Sequence, residues 1–232
     1  MSHFAVAVIH RDDQSVKELL APYNENLRVE PYIEYTRDEA IAYAREHYLD
    51  KNASDEECYE YMTDDYKVDI NGNLLSTYNP KSKWDYWVCG GRYSGLLKNK
   101  NGTPIDEGRI KDLDLDLDKK EYQYRLRYWD VVVNDSPLRP GETKGNFFNM
   151  FKKEYYTRRY RDAETYAGIM ATFSTYAVIT PDGEWHAPGN MGWFGMSDES
   201  DESWIDWVSN YGDRFISGSD PNWILTIVDC HI

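Results

Sequence analysis

The middle of the sequence contains a stretch in which aromatic and cationic side chains precede a glycine pair. An aromatic ring offers a face on which a nucleobase stacks, and a cationic side chain beside glycine amides binds phosphate. With an aromatic residue from a later glycine-rich loop, the predicted ligand-binding residues are Lys83, Trp84, Tyr86, Arg92, Ser94 and Trp193. The alternative is a strand with a glycine bulge and core aromatic residues, because the pattern matches no phosphate loop of fixed spacing.

The C-terminal run of β-prone residues carries a second candidate site. In a strand, Asp229 and His231 share one face while Cys230 takes the other. If the last strand neighbours the first, His3 joins them. These three side chains would then suit a divalent metal ion or an exchange of protons. The alternative is a strand end whose polar side chains reach water.

Catalysis by a known motif is not indicated. The sequence contains no HExxH, GxSxG, phosphate-loop, paired CxxC or EF-hand pattern, which disfavours enzymes of those classes. Neighbours in a strand point apart, so Cys230 and His231 do not form a nucleophilic dyad, and Cys89 would need a histidine from elsewhere. Together with Cys58 the cysteines are odd in number and unevenly spaced, which predicts free thiols in a reducing compartment.

Composition narrows the classes of function further. The chain has 232 residues with 41 acidic and 26 basic side chains, a formal net charge of −15. This charge disfavours binding to duplex nucleic acid, which needs cations against the phosphates. A hydrophobic content of 41% is too high for a disordered chain. No run approaches the roughly 18 apolar residues of a membrane span, and the N-terminus lacks the basic leader of a signal peptide.

The charge is unevenly distributed along the chain. Residues 34–66 carry eleven acidic side chains against three basic ones, and residues 197–220 carry seven against one. Residues 76–103 and 139–162 each have an excess of four basic side chains. An acidic protein can therefore still present a local cationic site. The alternative is that all four stretches are solvated faces.

The remaining pattern predicts the elements that position these residues. Apolar, alternating and β-branched runs predict strands at residues 4–9, 122–130, 173–180 and 223–232. Capping boxes and helical spacing predict helices at residues 15–20, 37–48, 55–63, 146–168 and 203–215. Residues 112–118 alternate aspartate with leucine and fit either an edge strand or a loop.

The sum of these elements is an α+β fold. We expect a single domain over residues 1–232, with a largely antiparallel sheet of five or more strands. Helical insertions near residues 36–66 and 146–168 are expected to pack on this sheet.

Segments along the whole chain resemble a family of proteins encoded by bacteriophages and prophages. The matching segments are MSHF, LAPYNEN, STYNPKSKWD, GGRYSG, MGWFGM and VDCHI. Where members of that family follow the glycine pair with Arg-Trp, this chain has Arg92-Tyr93, which keeps an aromatic ring. The family has no assigned activity, so the resemblance carries over no catalytic residue. It implies a small accessory phage protein made in the host bacterial cytoplasm, where such proteins often counteract defence systems.

These observations lead to three hypotheses of function. The first is a phage protein that sequesters a nucleotide-derived ligand and needs neither catalysis nor a cofactor. The second is an acidic inhibitor that imitates nucleic acid and binds a host defence protein, such as a nuclease or a CRISPR effector. The third is a hydrolase of a nucleotide signal with a divalent metal at His3, Asp229 and His231. Self-association stays open, and no membrane partner is expected.

Overall fold

The computed structural model describes residues 2–192 and 196–232. Contacts between residues divide the chain into two compact units. The first unit joins Met1–Ala21 to Trp84–Ile232, and the second unit is Pro22–Lys83. Each unit has its own sheet.

Helices and strands are both well represented. The described strands are β1 His3–His10, β2 Arg28–Tyr35, β3 Lys67–Val68, β4 Leu74–Tyr78, β5 Tyr86–Cys89, β6 Leu97–Lys98, β7 Pro104–Ile105, β8 Glu107–Arg109, β9 Ala177–Ile179, β10 Trp185–His186 and β11 Ile224–His231. The described α-helices are α1 Val16–Leu20, α2 Arg37–His47, α3 Asp55–Thr63, α4 Lys119–Val132, α5 Lys153–Tyr160, α6 Ala163–Ala171 and α7 Asp201–Ser209. This mixture confirms the predicted α+β class.

The first unit is built on a six-stranded sheet with the order β10-β9-β1-β11-β5, and β8 also pairs with β11. The pairing of β1 with β9 is parallel and the other pairings are antiparallel, so the sheet is largely antiparallel as predicted. The central pair joins the two ends of the chain in continuous register, from His3 opposite His231 to His10 opposite Ile224.

The core of the first unit lies between one face of this sheet and the helices. Ile9, Leu225 and Ile227 from the central strands contribute to the same buried cluster as Trp129 of α4 and Trp207 of α7. Because β1 and β11 are buried along nearly their whole length, apolar and β-branched residues are favoured at both faces.

The prediction of a strand at residues 122–130 was wrong, since this segment lies within α4. The Asp118 side chain caps the helix by accepting hydrogen bonds from the backbone amides two and three residues later, each at 3.0 Å. One turn further, Arg125 Nε donates to Glu121 Oε1 at 2.6 Å, an i to i+4 contact that only a helix provides. The spacing of the tyrosines in this segment fits both the two-residue period of a strand and the 3.6-residue period of a helix. The Asp118 cap and the Glu121–Arg125 ion pair favour the helix.

Other predicted elements are shorter or interrupted. The predicted strand at residues 173–180 is reduced to β9. The predicted helix at 146–168 is divided into α5 and α6 at Arg161, whose φ of +67° ends the first helix, and Asp162 caps the next. Residues 112–118 form a loop anchored by buried Leu113 rather than an edge strand.

The second unit contains a three-stranded sheet of order β2-β4-β3 with helices α2 and α3. Both predicted capping boxes are confirmed, with Thr36 and Glu39 opening α2 and Ser54 and Glu57 opening α3. The two helices share a small apolar core with β4. None of the described helices in either unit combines the length and the apolar character needed to cross a bilayer.

Candidate functional site

The ends of the two central strands bring two histidines together. His3 of β1 lies opposite His231 of β11, and their ring centroids are 5.0 Å apart with an interplanar angle of 68°. The expectation that the last strand neighbours the first is therefore confirmed. With their carboxylate partners Asp229 and Asp85, these residues form what we call the paired-histidine cluster.

Asp229 holds the first histidine. His3 Nδ1 lies 2.8 Å from Asp229 Oδ1, and Asp229 Oδ2 accepts a hydrogen bond from the Arg92 amide at 2.9 Å. In the neutral form of His3 that donates to this carboxylate, the proton is on Nδ1 and Nε2 carries the lone pair. Asp229 is only 3% exposed, so both of its oxygens are fixed in a buried setting.

Asp85 holds the second histidine in the same way. His231 Nδ1 lies 2.6 Å from Asp85 Oδ1. His231 Nε2 is buried and has no hydrogen-bond partner among the described protein atoms. A buried polar atom without a partner costs about 1–3 kcal/mol, so native proteins rarely keep one without a reason.

An exposed tyrosine and an exposed arginine flank this pair. Tyr86 of β5 lies opposite His231 in the antiparallel register and shares its face of the sheet, with 60% of its surface exposed. Arg92 presents its guanidinium to solvent while its backbone amide binds Asp229. These side chains provide a π-face and a cation beside two imidazoles.

Tyr93 closes the inner side of the cluster. Its hydroxyl donates to the carbonyl oxygen of His3 at 3.0 Å. Burial, and then the negative charge of Asp229, raise the pKa of the Tyr93 phenol, so this group stays protonated at neutral pH.

The glycine-rich turn that was predicted to bind phosphate binds carboxylates of its own chain. Ser94 Oγ donates to Asp106 Oδ2 at 3.0 Å, and the Gly95 amide donates to Asp106 Oδ1 at 2.6 Å. Gly91 adopts φ +54°, and a Cβ atom there would lie 2.5 Å from Asp229 Oδ2. The amides of Arg92 and Gly95 in this turn are thus engaged by Asp229 and Asp106, and phosphate binding by the turn stays a prediction.

The other predicted ligand-binding residues are dispersed. Trp84 is 5% exposed and its Nε1 donates to the Leu20 carbonyl at 3.2 Å, so its ring is part of the interior. Lys83 belongs to the second unit, where its amide donates to the Tyr23 carbonyl at 2.8 Å. Trp193 lies outside the described residues. Of the predicted set, Tyr86 and Arg92 flank the paired-histidine cluster.

The predicted metal-ligating residues His3, Asp229 and His231 are neighbours, but their contacts are mutual. Across residues 2–192 and 196–232, no group of three or more histidine, cysteine or carboxylate side chains is arranged to hold a metal ion. Each histidine Nδ1 faces a carboxylate instead. Such carboxylate contacts are also the usual outer support of metal-binding histidines, and a metal held by His3, Asp229 and His231 stays a prediction.

The free thiols do not supply a nucleophile. Cys58 and Cys230 are buried, and Cys89 is exposed. Burial raises the pKa of the Cys89 thiol, and the charges of Glu107 and Asp106 raise it further. A thiol whose pKa is raised carries little thiolate at neutral pH and reacts slowly.

A surface cleft in the second unit offers a contrasting environment. Its volume is about 810 Å³, and its lining includes Glu57, Glu60, Tyr61 and Asp64. With Asp50, the lining has four carboxylates, which repel a phosphate-bearing ligand. Size alone therefore does not make this cleft the better candidate for such a ligand, whereas the paired-histidine cluster has imidazoles and a guanidinium.

Asp85 was missed as a functional residue. It precedes β5, and its side chain meets His231 only because β5 pairs with β11. Its position between Trp84 and Tyr86, two of the predicted ligand-binding residues, is the one feature of the sequence that could have indicated it. Its role depends on a pairing between residues that are 146 positions apart.

Comparison of the chain with protein-family models, with curated proteins and with solved structures finds no match.

Proposed function

We propose that this protein binds a phosphate-bearing, nucleotide-derived ligand at the paired-histidine cluster. The observation that carries the proposal is the buried Nε2 atom of His231, which has no hydrogen-bond partner among the described protein atoms. A ligand oxygen or hydroxyl placed there would satisfy this nitrogen and recover the free energy lost by its burial.

The groups around this nitrogen suit such a ligand. The Arg92 guanidinium can donate to phosphate oxygens, His231 Nε2 has no partner among the described protein atoms, and the exposed ring of Tyr86 can stack on a base. The net charge of −15 acts weakly at this site because solvent ions screen charges beyond about 8 Å. Within that distance the Arg92 guanidinium acts together with the carboxylates of Asp229 and Asp85, each of which contacts an imidazole.

The resemblance to phage-encoded proteins suggests a biological role for this binding, namely the capture of a nucleotide signal of the host. A protein that captures a nucleotide signal prevents that signal from activating its receptor. Capture needs only affinity and abundance, so no nucleophile is required. On this proposal the protein removes a nucleotide signal made by a host defence system.

The first test is native mass spectrometry of the protein purified from bacteria, before and after mild denaturation. We expect a bound small molecule that is released on unfolding and contains phosphate. Titration calorimetry with a nucleoside monophosphate, a nucleoside diphosphate and a 3′,5′-cyclic dinucleotide follows. Absence of a copurified molecule, together with no heat of binding for any of these three probes, would contradict the proposal.

An Arg92→Ala variant tests the assigned cation. Alanine keeps the backbone amide that binds Asp229 and removes only the exposed guanidinium, so the fold is expected to persist. The loss of a charge-assisted contact is expected to weaken binding at least tenfold, about 1.4 kcal/mol. Arg11→Ala, another exposed arginine of the same unit, is the matched control and should bind as the wild type does.

A second candidate function rests on the charges of the second unit. The acidic side chains exposed on α2 and α3 include Glu39, Glu46, Asp55, Glu56 and Glu60. Such a surface suits a protein inhibitor that imitates nucleic acid. Its complex with a basic host protein should weaken steeply between low and moderate salt, and charge reversal at residues 55–60 should abolish it while small-ligand binding persists.

A further inference from the structure

We propose that the paired-histidine cluster also hydrolyses a phosphoester bond of the bound ligand, with His3 as the proton-transfer group. This inference rests on the proposed function, because the ligand must first bind at the cluster. It goes beyond sequestration by making the signal a substrate that is destroyed.

The contacts of His3 are those of an oriented general base. Its Nδ1 donates to Asp229, which fixes the tautomer and leaves the lone pair on Nε2. Asp229 in turn is held by the Arg92 amide, so the carboxylate cannot rotate away. This is the nucleophile-activating arrangement of a base oriented by a third group, here with water as the nucleophile.

His3 also has access to water. Its side chain is 20% exposed, whereas Asp229 behind it is 3% exposed. A base must reach the proton that it removes, and its supporting carboxylate is most effective when it is shielded from solvent. The gradient of exposure from Asp229 to His3 fulfils both conditions.

The second histidine provides charge rather than proton removal. His231 lies edge to face with His3 and is supported by Asp85 at 2.6 Å. In its doubly protonated form, His231 would donate through Nδ1 to Asp85 and through Nε2, which has no partner among the described protein atoms, to a phosphoryl oxygen. Such a fixed donor stabilises the negative charge that builds up in the transition state.

The reaction is a hydrolysis and needs water as its only co-reactant. His3 Nε2 accepts a proton from water while the water oxygen forms a bond to phosphorus. The P–O ester bond breaks, and its electron pair leaves with the ester oxygen. His3 returns the proton to that oxygen, so the histidine is regenerated and no atom changes oxidation state.

The charged and titratable groups facing His3 come from two parts of the first unit. Asp229 and His231 lie on β11, and Arg92 and Tyr93 lie in the turn after β5. If His3 had only a structural role, its substitution would not lower kcat specifically. Removal of a general base lowers kcat while the affinity for the ligand changes little.

The experiment incubates the purified protein with bis(p-nitrophenyl) phosphate and with a 3′,5′-cyclic dinucleotide, and follows the products by absorbance and by phosphorus NMR. Binding of the same cyclic dinucleotide is measured separately by titration calorimetry. We expect turnover that persists in EDTA. His3→Gln should lower kcat by about 100-fold or more while the affinity for the dinucleotide changes less than threefold.

Two further variants keep the inference falsifiable if one of them fails to fold. Asp229→Asn should lower kcat with little change in the affinity for the dinucleotide, and Asp85→Asn, at a partly exposed position, should lower kcat by a smaller factor. His47→Gln, an exposed histidine of the second unit, is the matched control and should leave the kinetics unchanged.

The outcomes separate the two proposals. Binding without turnover overturns the hydrolysis and leaves the proposed function intact. Turnover that survives His3→Gln, or that EDTA abolishes and added Zn²⁺ or Mn²⁺ restores, overturns the assignment of His3 as the base. If the protein shows neither binding nor turnover, both proposals are overturned.

Discussion

The two ends of the β1–β11 pair each carry a histidine in a polar cluster, and the clusters differ in how well their polar atoms are satisfied. At one end, His10 Nδ1 donates to the Arg11 carbonyl at 3.1 Å and Nε2 lies 3.1 Å from Thr226 Oγ1. The Thr226 hydroxyl in turn donates to Glu107 at 2.8 Å. At the other end, His231 Nε2 has no partner among the described protein atoms.

This difference teaches how to distinguish a structural histidine from a functional one on the same pair of strands. Both ends have a buried or half-buried imidazole, but His10 is linked to Glu107 only through the Thr226 hydroxyl, whereas His231 contacts Asp85 directly. The His10 end has no polar nitrogen left to bind anything else. The paired-histidine cluster keeps one, at a cost that folding alone does not explain.

The largest effect is expected from Gly91→Ala, which would displace Asp229, the carboxylate that contacts His3 in the paired-histidine cluster. The new Cβ atom would meet Asp229, and φ +54° is unfavourable for alanine. We expect a loss of roughly 3 kcal/mol in the free energy of unfolding, measured by urea denaturation, together with loss of ligand binding. Gly168→Ala in α6, where the Cβ meets nothing within 4 Å, should instead stabilise the protein slightly.

Next in size is Thr226→Val, which tests the end assigned to structure. The substitution is nearly isosteric, but it leaves His10 Nε2 buried without its hydroxyl partner. We expect a loss of about 1–3 kcal/mol in the free energy of unfolding and unchanged affinity for the ligand. Weakened binding with unchanged stability would reverse the assignment of the two ends.

A smaller change in stability is expected from His231→Phe, with a large change in function. Phenylalanine fills a similar volume and removes the unsatisfied nitrogen, while it also loses the contact with Asp85. The two effects oppose each other, so the free energy of unfolding should change by less than about 1 kcal/mol. Calorimetry should show that ligand binding is abolished. A variant that binds normally would contradict the functional role of this end.

The smallest effect concerns acid stability away from both ends. A hydrogen bond from Arg127, and then one from the Arg139 amide, lower the pKa of Glu142 to about 2. A carboxyl whose folded pKa is lowered contributes stability above its ordinary pKa of 4.5, and this contribution is lost as the pH falls toward 2. Glu142→Gln should therefore flatten the decline in melting temperature between pH 4.5 and 2, and an unchanged decline would contradict the assignment.

Local chemistry explains which elements were predicted correctly. The capping boxes at Thr36 and Ser54 act over three residues, so they are legible without a structure. The tyrosines of residues 122–130 fit both a strand and a helix. That ambiguity was removed by the cap at Asp118 and by helix packing, and the interpretation from alternation alone failed.

The candidate site was predictable only in part, for a related reason. The common face of Asp229 and His231 follows from the period of a strand, and the addition of His3 required one assumption about strand order that the structure confirms. The base-stacking role predicted for Trp84 depends on its exposure, which a linear sequence does not reveal. In the structure that ring is buried.

By itself, the sequence determined the α+β class and the capped helices of the second unit. Each of these follows from side-chain chemistry acting over a few residues. Only the tertiary structure decided that Asp85 supports His231, that Asp106 and Asp229 occupy the turn and that one imidazole nitrogen is left without a protein partner. These features arise from pairings between residues far apart in the chain, whose register is set by burial of the central strands.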